Sequence, residues 1–167
     1  MSDVGTAGAD GSARAADAGA APAAGAVERV RVARVTDAAL SVAACSAAVA
    51  GRASGAVVTF EGVVRDHDEG RGVTDLHYEA HPAAGDVLVE VARDVASRHP
   101  EVVLAVEHRV GDLVVGDVAL ACAVASAHRA AAFTACADLV DEVKARVPIW
   151  KHQRFTDGTD EWVAALG

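Results

Sequence analysis

Positive charge, aromatic rings and cysteine are all in short supply in this 167-residue chain, and each shortage excludes something. Lys and Arg number 15 against 24 Asp and Glu, a net charge of −9. A nucleic-acid backbone or an anionic membrane repels such a chain and is not expected as its main partner. Aromatics make up 4% of the sequence and its 52% apolar content is mostly Ala and Val, so the core must be assembled from small side chains. The three cysteines, Cys45, Cys122 and Cys136, form neither an even set nor a CxxC motif. That excludes a disulfide framework and a thiol metal or redox motif, and leaves buried small hydrophobes in a reduced, cytoplasmic chain. No window approaches the roughly 18 to 20 apolar residues that cross a bilayer. GxGxxG, GxxxxGK[ST] and GxSxG motifs are also absent, which removes the dinucleotide, P-loop and nucleophile-elbow readings.

What is present is organised in two parts. Residues 1–26 are nearly all Ala, Gly, Asp and Ser. They lack the apolar content to offset the entropy of ordering and lack the continuous apolar run of an export signal. A disordered tail is expected there, with an Ala-rich helix as the alternative, and one domain over residues 27–167. Val27–Val35 alternates valine with charge, a half-buried strand pattern. Thr36 or Asp37 can cap a helix running to about Ala50. Gly55–Arg65 reads as a long strand, Asp66–Gly72 as a charged flexible loop, and Val73–Glu79 as a strand. Pro82 opens a helix that Pro100 ends. Glu101–Val110 and Asp117–Ser126 are strands, Arg129–Val147 has helical spacing, and Ile149–Phe155 is extended. Two hairpin-like pairs within this order predict an α+β fold.

Lysine carries the most chemical information. The chain uses 13 Arg and only two Lys, Lys144 and Lys151. A composition that favours Arg almost everywhere keeps Lys where a compact ammonium able to lose its proton is required. The bland alternative is a helix-end Lys favoured by the helix dipole and an ordinary surface Lys. Ser126-Ala127-His128-Arg129 stands at a strand-to-helix junction, where backbone N–H groups and two basic side chains suit a phosphate or carboxylate. A solvated capping turn is the competing reading. Arg65 ends an apolar strand next to Asp66, His67 and Asp68, either as a second anion ligand or paired with those acids. His77 and His81 have a spacing some zinc sites use, but no further ligands complete a tetrahedral set, so no metal is expected.

Taken together, GAVVTFEGVVRDHDEG, VEHRVGDLVVGD, SAHRAAAF, VKARVPIWK and TDGTDEWV resemble, in order and spacing, the large catalytic subunit of molybdopterin synthase, the MoaE family. The resemblance covers about residues 27–165. It implies an α+β hammerhead-type domain with an additional antiparallel sheet. It implies sulfur transfer from the C-terminal thiocarboxylate of a small ubiquitin-like subunit to cyclic pyranopterin monophosphate, forming the dithiolene of molybdopterin, with no metal or redox cofactor. It also implies a homodimer of large subunits with a small subunit at each end, a heterotetramer overall. By position, Lys144 and Lys151 match the catalytic lysines. Val63, Val64, Arg65, His128, Arg129, Lys144, Lys151, His152 and Gln153 match substrate contacts, and Phe60 matches an aromatic that meets the partner's tail. Gln153 stands where relatives often carry an acidic residue. The rival readings are a non-catalytic module that binds a Gly-Gly tail or a pterin phosphate, and a purely structural α+β subunit.

Overall fold

The computed structural model describes residues 24–164. Its elements run α1 (Ala24–Arg29), β1 (Val30–Thr36), α2 (Val42–Val49), β2 (Ala56–Val63), β3 (His67–Asp68), β4 (Arg71–Ala80), α3 (Ala84–Arg98), β5 (Val102–Arg109), β6 (Gly111–Val114), β7 (Val118–Ser126), α4 (Arg129–Arg146), β8 (Ile149–Phe155) and β9 (Asp160–Ala164). The strands form a four-stranded sheet in the order β1-β5-β7-β2 and a five-stranded sheet in the order β3-β4-β8-β9, with β6 added to β4. This is the α+β class expected.

The four-stranded sheet carries the core because both of its faces are apolar. Leu104, Val106, Cys122 and Val124 point to one face, where they meet Leu88, Val91 and Val95 of α3 and Leu139 and Val143 of α4. Ala105, Ala121, Ala123 and Ala125 point to the other, where α2 brings Cys45 and Val49. Alanines on that face let a helix lie close to the sheet. All three cysteines are buried and free, as their apolar surroundings in the sequence suggest.

Several boundaries differ from expectation. Most of the expected tail lies outside the described residues, but its end does not: Ala24–Ala26 open α1, and Ala26 is fully buried in the main core. Alanine's helix propensity and small volume explain this, and the Arg29 side chain ties α1 to α3 by donating to the Ala96 carbonyl at 2.7 Å. Thr36 and Asp37 do not cap α2. Thr36 ends β1 and accepts from the Ala38 N–H, whereas Ser41 accepts from the Ala44 N–H at 3.2 Å and is the N-cap. The expected loop over 66–72 is a tight hairpin. Asp68 pairs with Arg71 across Glu69 and Gly70, whose φ values of 47° and 81° are the positive pair that a type I′ turn requires.

Candidate functional site

A cleft of about 430 Å³ is lined by both sheets and the last turns of α4, a size in the range of small-molecule sites. The end of β2 and its continuation supply Val63, Val64 and Arg65. β4 supplies Leu76 and Tyr78, β5 supplies His108, and β8 supplies Lys151 and Gln153. Lys144 reaches it from α4. The two lysines converge because the chain reverses between α4 and β8. The Val147 N–H still bonds the Val143 carbonyl at 3.0 Å, and Pro148 cannot prolong the helix. Alternation along β8 then puts Lys151 and Gln153 on one face and His152 on the other. His152 stacks on Trp162, with centroids 4.6 Å apart, and its Nε2 lies 2.6 Å from Asp160 Oδ2.

Behind the cleft wall, one carboxylate organises three of its residues. Gln153 Nε2 donates to Asp68 Oδ2 at 2.8 Å. Lys151 Nζ reaches the same oxygen at 3.1 Å, and Arg65 Nη2 pairs with Oδ1. The Gln153 amide, with Lys151 and Arg65, holds the Asp68 carboxyl well below the usual range, outweighing the opposing effect of burial. Arg65 therefore pairs with a neighbouring acid, as one of its two sequence readings has it, and it also lines the cleft.

His108 and Tyr78 form the floor. Their rings meet edge to face, with centroids 5.3 Å apart. His108 Nδ1 lies 2.8 Å from the Arg109 carbonyl. A carbonyl can only accept, so the proton sits on Nδ1 and Nε2 is left as an acceptor. Burial lowers the His108 pKa and the Arg109 carbonyl opposes this. Burial, with the Asp68 charge adding, raises that of Tyr78.

Of the residues expected at the site, Val63, Val64, Arg65, Lys144, Lys151 and Gln153 share this cleft. His128 and Arg129 do not line it. Both are exposed at the N-terminus of the 18-residue α4, and at 1.5 Å per residue Lys144 is about 22 Å farther along the helix. The Ser126 hydroxyl accepts from the His128 N–H at 3.4 Å. Phe60 is half-buried in the main core beside Gly62, not on the cleft wall. The sequence reading did not single out Asp68, Tyr78 or His108 for the site. Signals for them exist: an acid three residues after Arg65 and directly before the Glu-Gly turn, the chain's single tyrosine, and a histidine within an apolar strand.

The sequence model described as MoaE protein matches residues 35–146. A molybdopterin synthase catalytic subunit of Nostoc sp. is 37% identical over 132 residues, 78% of this chain and 80% of that protein. Molybdopterin synthase catalytic subunit 1 of Mycobacterium tuberculosis is 40% identical over 131 residues, 78% of this chain and 88% of that one. Among solved structures, the crystal structure of molybdopterin synthase from Staphylococcus aureus superposes with a TM-score of 0.74 at 28% identity, covering 79% of this chain and 96% of that one.

Proposed function

Because the chain belongs to the MoaE family, we propose that its cleft carries out the sulfur transfer of molybdopterin synthase. The substrate is cyclic pyranopterin monophosphate. The donor is the C-terminal thiocarboxylate of a small ubiquitin-like partner, threaded as a flexible tail. The observation that carries this reading is the convergence of both lysines of an Arg-dominated chain, with Arg65, in one cleft. Each transfer makes one carbon–sulfur bond at the pterin side chain in place of a carbon–oxygen bond there, and breaks the bond between the acyl carbon and sulfur. Water supplies the oxygen of the carboxylate that leaves. Both reactants are anions, so a cationic cleft draws them together. The two ammonium groups also stabilise the oxyanion that forms at the acyl carbon. Lys151 or Lys144 handles the proton at the carbon that accepts sulfur. A pure binding module needs the charges but not a removable proton, so it would tolerate Arg at both positions, and the enzyme would not.

His128 and Arg129 enter the same reading through a second copy of the chain. One α4 cannot aim both ends at one small substrate, and a two-fold dimer lets each copy lend its His-Arg pair to the other's lysines. The experiment is product formation from purified chain, thiocarboxylated partner and the cyclic pterin, which must yield molybdopterin. Mixing an Arg129→Ala chain with a Lys151→Ala chain should then restore part of the activity, because one of the two sites in each mixed dimer is wild type. Mixed dimers that form but stay inactive would rule out the shared site.

A further inference from the structure

Among the described residues, the wall of the cleft holds three cations, Arg65, Lys144 and Lys151, and no carboxylate. The one carboxylate among the described residues that pairs with any of them, Asp68, is not part of the wall and touches it through Arg65, Lys151 and Gln153. Two of these donors converge on a single oxygen, Oδ2. Asp68 itself is held by the type I′ hairpin, and Gln153 is 3% exposed with its amide turned to Asp68. A long, flexible lysine side chain has many rotamers. A charge-assisted bond to a fixed acceptor selects one of them.

We propose that Asp68 is the positioning residue of this site: it fixes Lys151 Nζ and the Arg65 guanidinium relative to the cleft, and Gln153 in turn fixes Asp68. This rests on the sulfur-transfer reading of the cleft. The arrangement needs one carboxylate and one amide facing each other, but it does not matter which strand carries which. Asp68→Asn with Gln153→Glu exchanges the two groups and keeps a carboxylate–amide hydrogen bond at the same place. Gln153→Glu alone sets two carboxylates against each other, and Asp68→Asn alone leaves two amides and no anchor for the lysine.

The test is the four-member cycle of wild type, Asp68→Asn, Gln153→Glu and the double variant, in the full chain with its partner. Asp68→Asn should lower kcat by about 10- to 100-fold, the loss of a hydrogen bond between charged groups. KM for the anionic pterin should not rise, because the variant removes negative charge from the site. Gln153→Glu should raise KM, and the double variant should outperform both single variants. A wild-type kcat in Asp68→Asn overturns the proposal. So does a double variant no better than the poorer single one while melting like wild type, or a kcat loss matched by a KM rise and a lower melting temperature.

A second readout is independent of turnover. The chain has only two lysines, so mass spectrometry can follow acetylation of each by an N-hydroxysuccinimide ester. Releasing Lys151 should raise its acetylation rate several-fold in Asp68→Asn and leave Lys144 unchanged. Equal rates in wild type and variant overturn the proposal. If no variant makes product, the wild type included, the sulfur-transfer reading has failed, and the acetylation rates still decide whether Asp68 restrains Lys151.

Discussion

β7 is buried without a break from Ala119 to Ser126, whereas β8 alternates buried Ile149, Gln153 and Phe155 with exposed Trp150 and Arg154. The same contrast separates the two sheets as wholes. The four-stranded sheet has helices on both faces and owes its cohesion to burial. The five-stranded sheet turns one face to the cleft and leaves Trp150 and Trp162 40% and 55% exposed on the other. Its strands are linked by side-chain pairs such as Arg154–Asp75 at 3.1 Å and Arg71–Glu161. Stability and chemistry are thus carried largely by different sheets, and substitutions should separate them.

The largest effect belongs to the five-stranded sheet. Lys151→Ala should cut kcat by about 100-fold or more, the scale of a lost proton-transfer group, with little change in melting temperature. Lys151→Arg should fail almost as badly; near-normal turnover there would reduce the lysine to a charge. In the four-stranded sheet the outcome should be reversed. Leu104 is fully buried, and Leu104→Ala should cost about 3 kcal/mol of stability through transfer and cavity terms. kcat per folded molecule should stay unchanged below the variant's melting point, so a catalytic defect without a denaturation shift would break the division.

The smallest effect lies at the seam, at His108. Burial pulls its pKa below the ordinary 6.5, so the unfolded chain takes up a proton that the native state refuses. The contribution is complete above pH 6.5 and is lost as the pH falls through the lower native value. Wild-type stability should therefore decline faster than that of His108→Gln as the pH drops below 6.5, by at most tenfold in the unfolding constant per pH unit for one proton. Parallel urea midpoints across that range would show that His108 is not held neutral.

How much of this was legible in the sequence depended on how local the signal is. α3 and α4 announce themselves through prolines at their boundaries and repeated apolar spacing, and β5 and β7 through short apolar runs between turn residues. α1 was missed: for Ala24–Ala26 a helix was only the alternative to disorder, since glycines such as Gly25 speak against one, and Val27–Arg29 alternate like a strand although they are helical; the burial that favours the helix comes from α3, far along the chain. The lysines were found by composition, before any geometry. Asp68 was not, because Asp66–Gly72 reads as seven polar or small residues in a row. Only the backbone turn at Glu69 and Gly70 converts that run into a hairpin that aims one carboxylate at three partners. The amide at Gln153 likewise makes sense only once Asp68 faces it.

The position of β1 bears on how this chain reaches its fold. The β1–β5 pair is the one parallel pair of the four-stranded sheet, with Val35 opposite His108, and the ion pair across it joins Arg34 to Glu107, 73 residues away. Parallel neighbours cannot be joined by a tight turn, so β1 cannot form its ladder by local zipping. As the chain emerges from a ribosome, β1 must wait until β5 has followed it, while β4 can close on β3 as soon as Arg71 appears. The order of assembly therefore differs from the order of synthesis: the hairpin that carries Asp68 can form early, whereas β1 must wait for β5 and β2 for β7, β1 at the entropic cost of closing the longer of these two loops.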